Sequence, residues 1–190
     1  MAAGVFVALV GCGGGEPLRR WSSEGAPMRH VELTLADDVR LHLDGAWVES
    51  DGDGQGEGTT VKAAALVIEG DRSEWSLSDG QVRLEGDVRV VRGDVTLTAR
   101  TLVLDLAGEA VDRAEAVGQV RVTQGERVVM AGRAVLEGAS GRLVLSESPR
   151  LTEGERVLTA SRITVWLDED TLNCEDCRLE MPEGALGGAR

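Results

Sequence analysis

The chain has no tyrosine, and its single phenylalanine is Phe6. Its other aromatic rings are four tryptophans, Trp21, Trp47, Trp75 and Trp166, so Val, Leu and Ala have to fill any core it forms. Histidine is scarce too, at two residues, His30 and His42, which are expected on strand surfaces. Neither sits in a Ser, Cys or Asp constellation, so nothing points to nucleophilic or general-base catalysis, and a non-enzymatic role without a cofactor is expected. No stretch reaches the roughly 18 apolar residues that a transmembrane helix needs. Excess positive charge is also missing. The net charge is −13, which argues against nucleic acid as a partner. What remains is 190 residues with 42% hydrophobic content, one domain's worth of chain and richer in apolar residues than a disordered one.

The pattern that is present is a repeat. GDVRVVRGDVTLTARTLVLDL from Gly86 returns as GQVRVTQGERVVMAGRAVLEG from Gly118 and as SPRLTEGERVLTASRITVWLD from Ser148. The glycines Gly93, Gly125 and Gly154 recur at intervals of 32 and 29 residues, the period of stacked supersecondary units. Each unit reads as a short strand (Val88-Arg89-Val90 in the first), a turn, and a longer apolar run, with Asp105 in a closing acidic turn. In that run the apolar positions change parity. Leu97 and Ala99 give way to Leu102 and Leu104, Val129 and Ala131 to Ala134 and Leu136, and Leu158 and Ala160 to Ile163 and Val165. Val61 and Ala63 followed by Leu66 and Ile68 read as a fourth, degenerate copy. Strand side chains alternate between faces, so a fixed parity switch predicts strands bent at a bulge or corner. The runs lack the spacing of an amphipathic helix.

Outside the repeats, residues 1–11 are uncharged and mostly apolar and run into Cys12, and Leu9-Val10-Gly11-Cys12 matches a bacterial lipobox. The expectation is a lipoprotein signal peptide over 1–11 and an acylated Cys12, followed by a flexible linker over 12–28. No Lys or Arg precedes the apolar run, as a start codon placed too far downstream would explain. Arg19-Arg20 in the linker suit anionic headgroups, but a pair is a weak signal and a solvated linker is expected. Val31–Leu35 and Val39–Leu43 alternate as strands, and Trp47 and Val48 continue the sheet. Ser50–Gly58 looks like a calcium loop but has no Glu at the twelfth position and no flanking helices, so a solvated hairpin loop is expected. Cys174 and Cys177 form a C-x-x-C without further zinc ligands or a βαβ setting, and a local disulfide is expected if the chain is exported, with free thiols the alternative. Residues 182–190 read as a frayed tail.

Gly86-Asp87-Val88-Arg89-Val90, Gly93, Leu97-Thr98-Ala99 and Leu104-Asp105 resemble the OstA-like repeat of the lipopolysaccharide-transport proteins (LptA, LptC and the N-terminal part of the outer-membrane translocon). The resemblance spans about Val61 to Leu179. It departs where an acidic residue is usual (Arg100, Gly132 and Ser161 here) and where a Tyr is usual (Leu104, Leu136 and Val165). It implies an all-β, repeat-built jellyroll over 29–181, two bent antiparallel sheets forming a V-shaped trough for acyl chains. The lipid-facing residues would be Leu97, Ala99, Leu102, Leu104, Val129, Ala131, Leu136, Leu158, Ile163 and Val165. The implied partners are lipopolysaccharide, other OstA-like jellyrolls joined by edge-strand pairing, and a membrane reached through the lipid on Cys12. The implied location is the periplasm of a Gram-negative bacterium, anchored to the inner or outer membrane. The competing expectation is a scaffolding envelope lipoprotein whose apolar faces close into a sealed sandwich core.

Overall fold

The computed structural model describes residues 28–181 except 37, 38, 50, 64, 65, 108, 109, 168 and 170. The expected signal peptide, Cys12, most of the linker and the tail lie outside the described residues. The described residues form one open, antiparallel sheet of fourteen strands. Eight follow one another as a meander: β1 (Met28–Ala36), β2 (Val39–Val48), β3 (Gly54–Ala63), β4 (Leu66–Ser76), β5 (Gln81–Arg92), β6 (Val95–Ala107), β7 (Ala110–Gln124) and β8 (Arg127–Glu137). Beyond β8 the sheet forks. The C-terminal part of β8 pairs with β9 (Arg142–Ser146), which leads to β12 (Arg162–Trp166) and β13 (Thr171–Glu175). Its N-terminal part pairs with β10 (Arg150–Glu153), which leads to β11 (Arg156–Thr159) and β14 (Arg178–Glu180).

The fork is the end of a corner that crosses the whole sheet. Along β5 the pairing with β6 jumps between Glu85 and Val88, and along β7 the pairing with β8 jumps between Val117 and Val120. At each jump the odd strand carries one residue more than its partner: Gly86 and Asp87 face Arg100, and Gly118 and Gln119 face Gly132. That is a β-bulge, which bends a strand and turns its side chains to the other face. Backbone conformation marks the same line, because Gly58, Gly86, Asp87, Gly118, Gln119, Glu147, Ser148 and Asp176 all have positive φ. The parity switches at Ala99–Leu102 and Ala131–Ala134 fall on β6 and β8 opposite these bulges, and that at Ala160–Ile163 falls at the break between β11 and β12.

Three expectations need correction. The step from Ala63 to Leu66 is no corner. It spans the β3–β4 hairpin, with Val61 paired to Ile68 and Ala63 to Leu66 across it. Side chains on either side of a tight turn produce the same three-residue step as a bulge. Asp105 lies inside β6, paired with Arg113, rather than in a turn. The solvated loop is shorter than Ser50–Gly58, since Gly54–Gly58 belong to β3; Asp53 helps to end it by accepting a hydrogen bond from the Leu77 amide at 2.7 Å.

The repeat glycines are hairpin residues. Gly93, Gly125 and Gly154 stand first in the two-residue connections β5–β6, β7–β8 and β10–β11, each with φ near +58° and each followed by Asp or Glu. A glycine first in a two-residue loop suits the type II′ turn, whose twist matches that of the flanking strands.

On the outer face, Glu115 of β7 receives hydrogen bonds from Arg133 Nε of β8 at 2.9 Å and from Arg113 at 3.0 Å. The Arg133 bond first and the Arg113 bond second hold its carboxyl below the ordinary value of 4.5. A lowered folded-state value means the contribution to stability is full above the unfolded value and is lost as pH falls through the folded one. Glu115→Gln therefore lowers the urea midpoint at neutral pH, and its difference from the parent shrinks to nothing as the pH drops below the folded value. Replacing Gly86 (φ +77°) by Val costs about 1–3 kcal/mol in urea unfolding, because a β-branched residue is strained there and its Cβ meets the Asp71 side chain. Gly93→Asn, at a turn where an added Cβ meets nothing within 4 Å, changes stability by a few tenths of a kcal/mol at most, about the cost of an αL Asn for Gly.

Candidate functional site: an apolar trough between the two halves of the sheet

The corner divides the sheet into halves whose inner faces oppose each other. Cross-strand register lines up the inner side chains of the first half in a continuous row: Leu33, Leu41, Val61, Ile68, Val90, Leu97, Val122, Val129, Leu151, Leu158 and Leu179. The facing half supplies the row Trp75, Val82, Leu104, Ala114, Leu136, Leu143, Val165 and Leu172. A deeper row, nearer the corner, runs from Leu84 through Leu102, Ala116, Ala134, Leu145 and Ile163 to Cys174.

Burial changes along these rows. At the β1–β5 end Leu33, Leu41, Val61, Ile68, Val82 and Leu84 are 0–2% exposed and Trp75 3%, so the halves close on each other. Trp75 plugs this end, with its indole Nε1 donating to the Gly52 carbonyl at 2.9 Å. The buried hydroxyls of Thr59 and Ser73 satisfy each other across 2.7 Å. Beyond β5 the halves separate. A cavity of about 580 Å³, open to solvent, lies between Leu66, Val90, Val95 and Leu97 on one side and Leu104, Ala114, Leu136 and Leu143 on the other. A second of about 530 Å³ follows it towards β12 and β13, and Val95, Val122, Leu143 and Leu167 line both. Together they form one trough. Its polar groups stand near the hairpin tips: Arg92 at the end of β5, Gln124 at the end of β7, and Arg127 at the start of β8, where its Nε donates to Glu153 at 2.8 Å. At the far end the rows run out into water, with Leu172 41% and Leu179 55% exposed.

Of the residues expected to face lipid, Leu97, Leu102, Leu104 and Leu136 line the first cavity and Val129 and Val165 the second. Leu158 lies in the inner row without lining either. Ala99 and Ala131 are buried at the corner, and Ile163 is fully buried in the deeper row. Sequence reasoning missed Val95, Val122, Leu143, Leu151 and Leu167. Val122 and Leu143 carried a usable signal, since each continues the two-residue alternation of its own strand. Val95 and Leu167 flank turns, where parity says nothing. Cys174 ends the deeper row and is joined to Cys177, just before β14, with 5.9 Å between their Cα atoms, inside the range a disulfide requires.

The trough offers a water-excluding wall of Leu, Val and Ala. Every methylene moved into it from water gains on the order of 0.8 kcal/mol. Among the described residues no group of three or more His, Cys, Asp or Glu side chains is placed to hold a metal ion. Leu136→Asp, which sets an unpaired carboxylate in this wall, is expected to abolish uptake of an apolar fluorophore such as N-phenylnaphthylamine, whereas Arg89→Asp on the outer face leaves uptake unchanged.

Comparison with curated proteins yields no match. Among solved structures, the chain is similar to LptH of Pseudomonas aeruginosa, titled the LptA homologous periplasmic component of the lipopolysaccharide transport device. The TM-score is 0.52 at 16% identity, over 66% of this chain and 88% of that one, which supports a shared fold. The family of LptA and the LptD N-terminal domain, LPS transport proteins, matches residues 67–171, more than half of the 190. That span covers nearly all of the lining of both cavities and both bulges, and the chain belongs to this family.

Proposed function

We propose that this protein is a periplasmic component of lipopolysaccharide transport that takes the acyl chains of lipopolysaccharide into the trough between β5 and β13. The observation that carries the reading is the trough itself, two apolar walls held apart over the family-matched part of the sheet. With a net charge of −13 the whole chain does not attract lipid phosphates, so affinity comes from methylene burial. Phosphates of a bound lipid meet the rim, where Arg92 and Arg127 stand. Nothing in this role requires chemistry on the lipid.

The trough closes at Trp75 and opens at β13 and β14, so lipid enters and leaves at the C-terminal end or along the hairpin tips. At that end β13 and β14 have edges that pair with no other strand among the described residues, as β1 has at the other. Such edges accept a strand from another chain. Pairing with a like jellyroll at β13–β14 extends the trough into the next subunit, and the Cys174–Cys177 disulfide holds the connection between those strands. Acylation of Cys12 tethers the protein, in the manner of a membrane-attached LptC-like subunit. Palmitate labelling tests the tether. Wild type incorporates label and resists a high-salt wash of membranes, and Cys12→Ser does neither; an unlabelled wild type would remove the tether from the account.

A photo-crosslinking residue at Leu97 or Leu136 tests the trough in living cells. Adducts with lipopolysaccharide at these two sites, and none at Leu41 in the closed end or at outward Arg89, are expected. Adducts at none of the four, with the protein folded and exported, would leave a scaffolding role; the tight packing of β1–β5 is the observation that favours it.

A further inference from the structure

The outer face of the first half carries a second ordered row, and it is cationic. Register places Glu69, Arg89, Thr98, Arg121, Met130, Arg150, Thr159 and Arg178 side by side across β4, β5, β6, β7, β8, β10, β11 and β14. Arginine thus occurs once per repeat, on each alternate strand, at one fixed distance from the corner. Strands lie about 4.8 Å apart, so successive arginines stand roughly 10 Å apart along a line. All four are exposed. Arg89 approaches Glu69 at 3.8 Å, whereas Arg121, Arg150 and Arg178 make no ion pair among the described residues.

In so acidic a chain an uncompensated row of this kind stands out. On the other side of the corner the outer-face arginines of three adjacent rows are paired: Arg72 and Arg83 with Glu85, Arg113 and Arg133 with Glu115, Arg162 with Glu175. Two of the corner carboxylates are also turned from the arginines. Asp176 accepts from the Ser161 hydroxyl at 2.9 Å, and Glu147 lies over Gly132, towards Arg133. Between the arginines stand only Thr98, Thr159 and Met130, the last 54% exposed. The neighbouring row, further from the corner, is Val67, Val91, Thr96, Thr123, Val128, Thr152, Val157 and Glu180, with its one carboxylate at the β14 end.

We propose that this face docks on an anionic phospholipid bilayer, with Arg89, Arg121, Arg150 and Arg178 on headgroup phosphates and Met130 entering the interface between them. Charge complementarity is the ground. Evenly spaced single cations separated by small or flexible apolar side chains suit a surface that offers anions everywhere and demands no register. A folded protein partner would need a matching acidic row. Guanidinium groups suit phosphate because they donate in a planar fork. Arginines near such a surface act additively and are screened by salt. Docking would lay the sheet along the membrane with the trough on the opposite side of this half.

The test is flotation of the full chain carrying Cys12→Ser, so that no lipid anchor contributes, with vesicles of phosphatidylglycerol and phosphatidylethanolamine or of phosphatidylcholine alone. The protein is expected to float with the anionic vesicles at low ionic strength, to be released by salt, and to ignore phosphatidylcholine. Arg121→Ala with Arg150→Ala is expected to weaken binding about tenfold or more, while the charge-matched pair Arg83→Ala with Arg162→Ala leaves it within about threefold. Circular dichroism establishes that both variants are folded. Absence of flotation with anionic vesicles would overturn the proposal, as would equal losses in the two variants. Capture of an acidic protein through Arg121 and Arg150 without vesicle binding would overturn it as well.

Discussion

One extra residue at the corner in each of β5 and β7 is the constraint on which the molecule depends. A flat fourteen-stranded sheet of this composition would expose one apolar face to water along its full length. The bulges at Gly86-Asp87 and Gly118-Gln119, continued at Glu147-Ser148 and Asp176, fold that face onto itself. The bend reverses side-chain parity, so each strand presents its apolar residues inwards on both sides of the corner. At β8 the bend becomes a fork, and the two halves continue as separate ribbons over their last strands. A family of bent strands sharing one corner gives closure at one end and separation at the other without any change of architecture.

Much of this was legible in the sequence because strands have a period of two. Leu97, Ala99, Leu102 and Leu104 register the bend in β6 directly, and the Gly-Asp and Gly-Glu pairs after each short strand mark hairpins. The same signal misled at Ala63–Leu66, where a tight turn imitates a bulge. Parity tells which residues point inwards but not how far apart two inward faces stand. Leu41 and Leu136 look alike in their strands, yet one is sealed in the closed end and the other lines the trough. That separation is a property of the whole sheet, and it decides which residues meet a ligand. Likewise, the alignment of Arg89, Arg121, Arg150 and Arg178 became visible only with the register, because intervals of 32, 29 and 28 residues conceal a straight line.

The two faces of the sheet divide the work by chemistry. The inner row from Leu33 to Leu179 carries no charge and interacts through area, which suits a chain of methylenes of variable length, and the arginines that line the trough stand at its hairpin tips. The outer face settles charge in ion pairs within and between strands, Glu115 with both Arg133 and Arg113 among them, and leaves one cationic row unsettled. Scarcity of aromatic side chains has its place in this arrangement. The ring at Trp75 plugs the closed end, and the lining of both cavities holds none. Large rings there would fill the space between the walls.

The most direct measurement of the central claim is an isotope-filtered NOE experiment on the methyl-labelled protein with unlabelled lipopolysaccharide in micelles. The account predicts contacts from acyl methylenes to the methyl groups of Leu97, Val122, Leu136 and Val165, and none to Leu41 or Val82. Acyl contacts confined to outward methyls such as Val67 and Val91, with the trough methyls silent at saturating lipid, would contradict it.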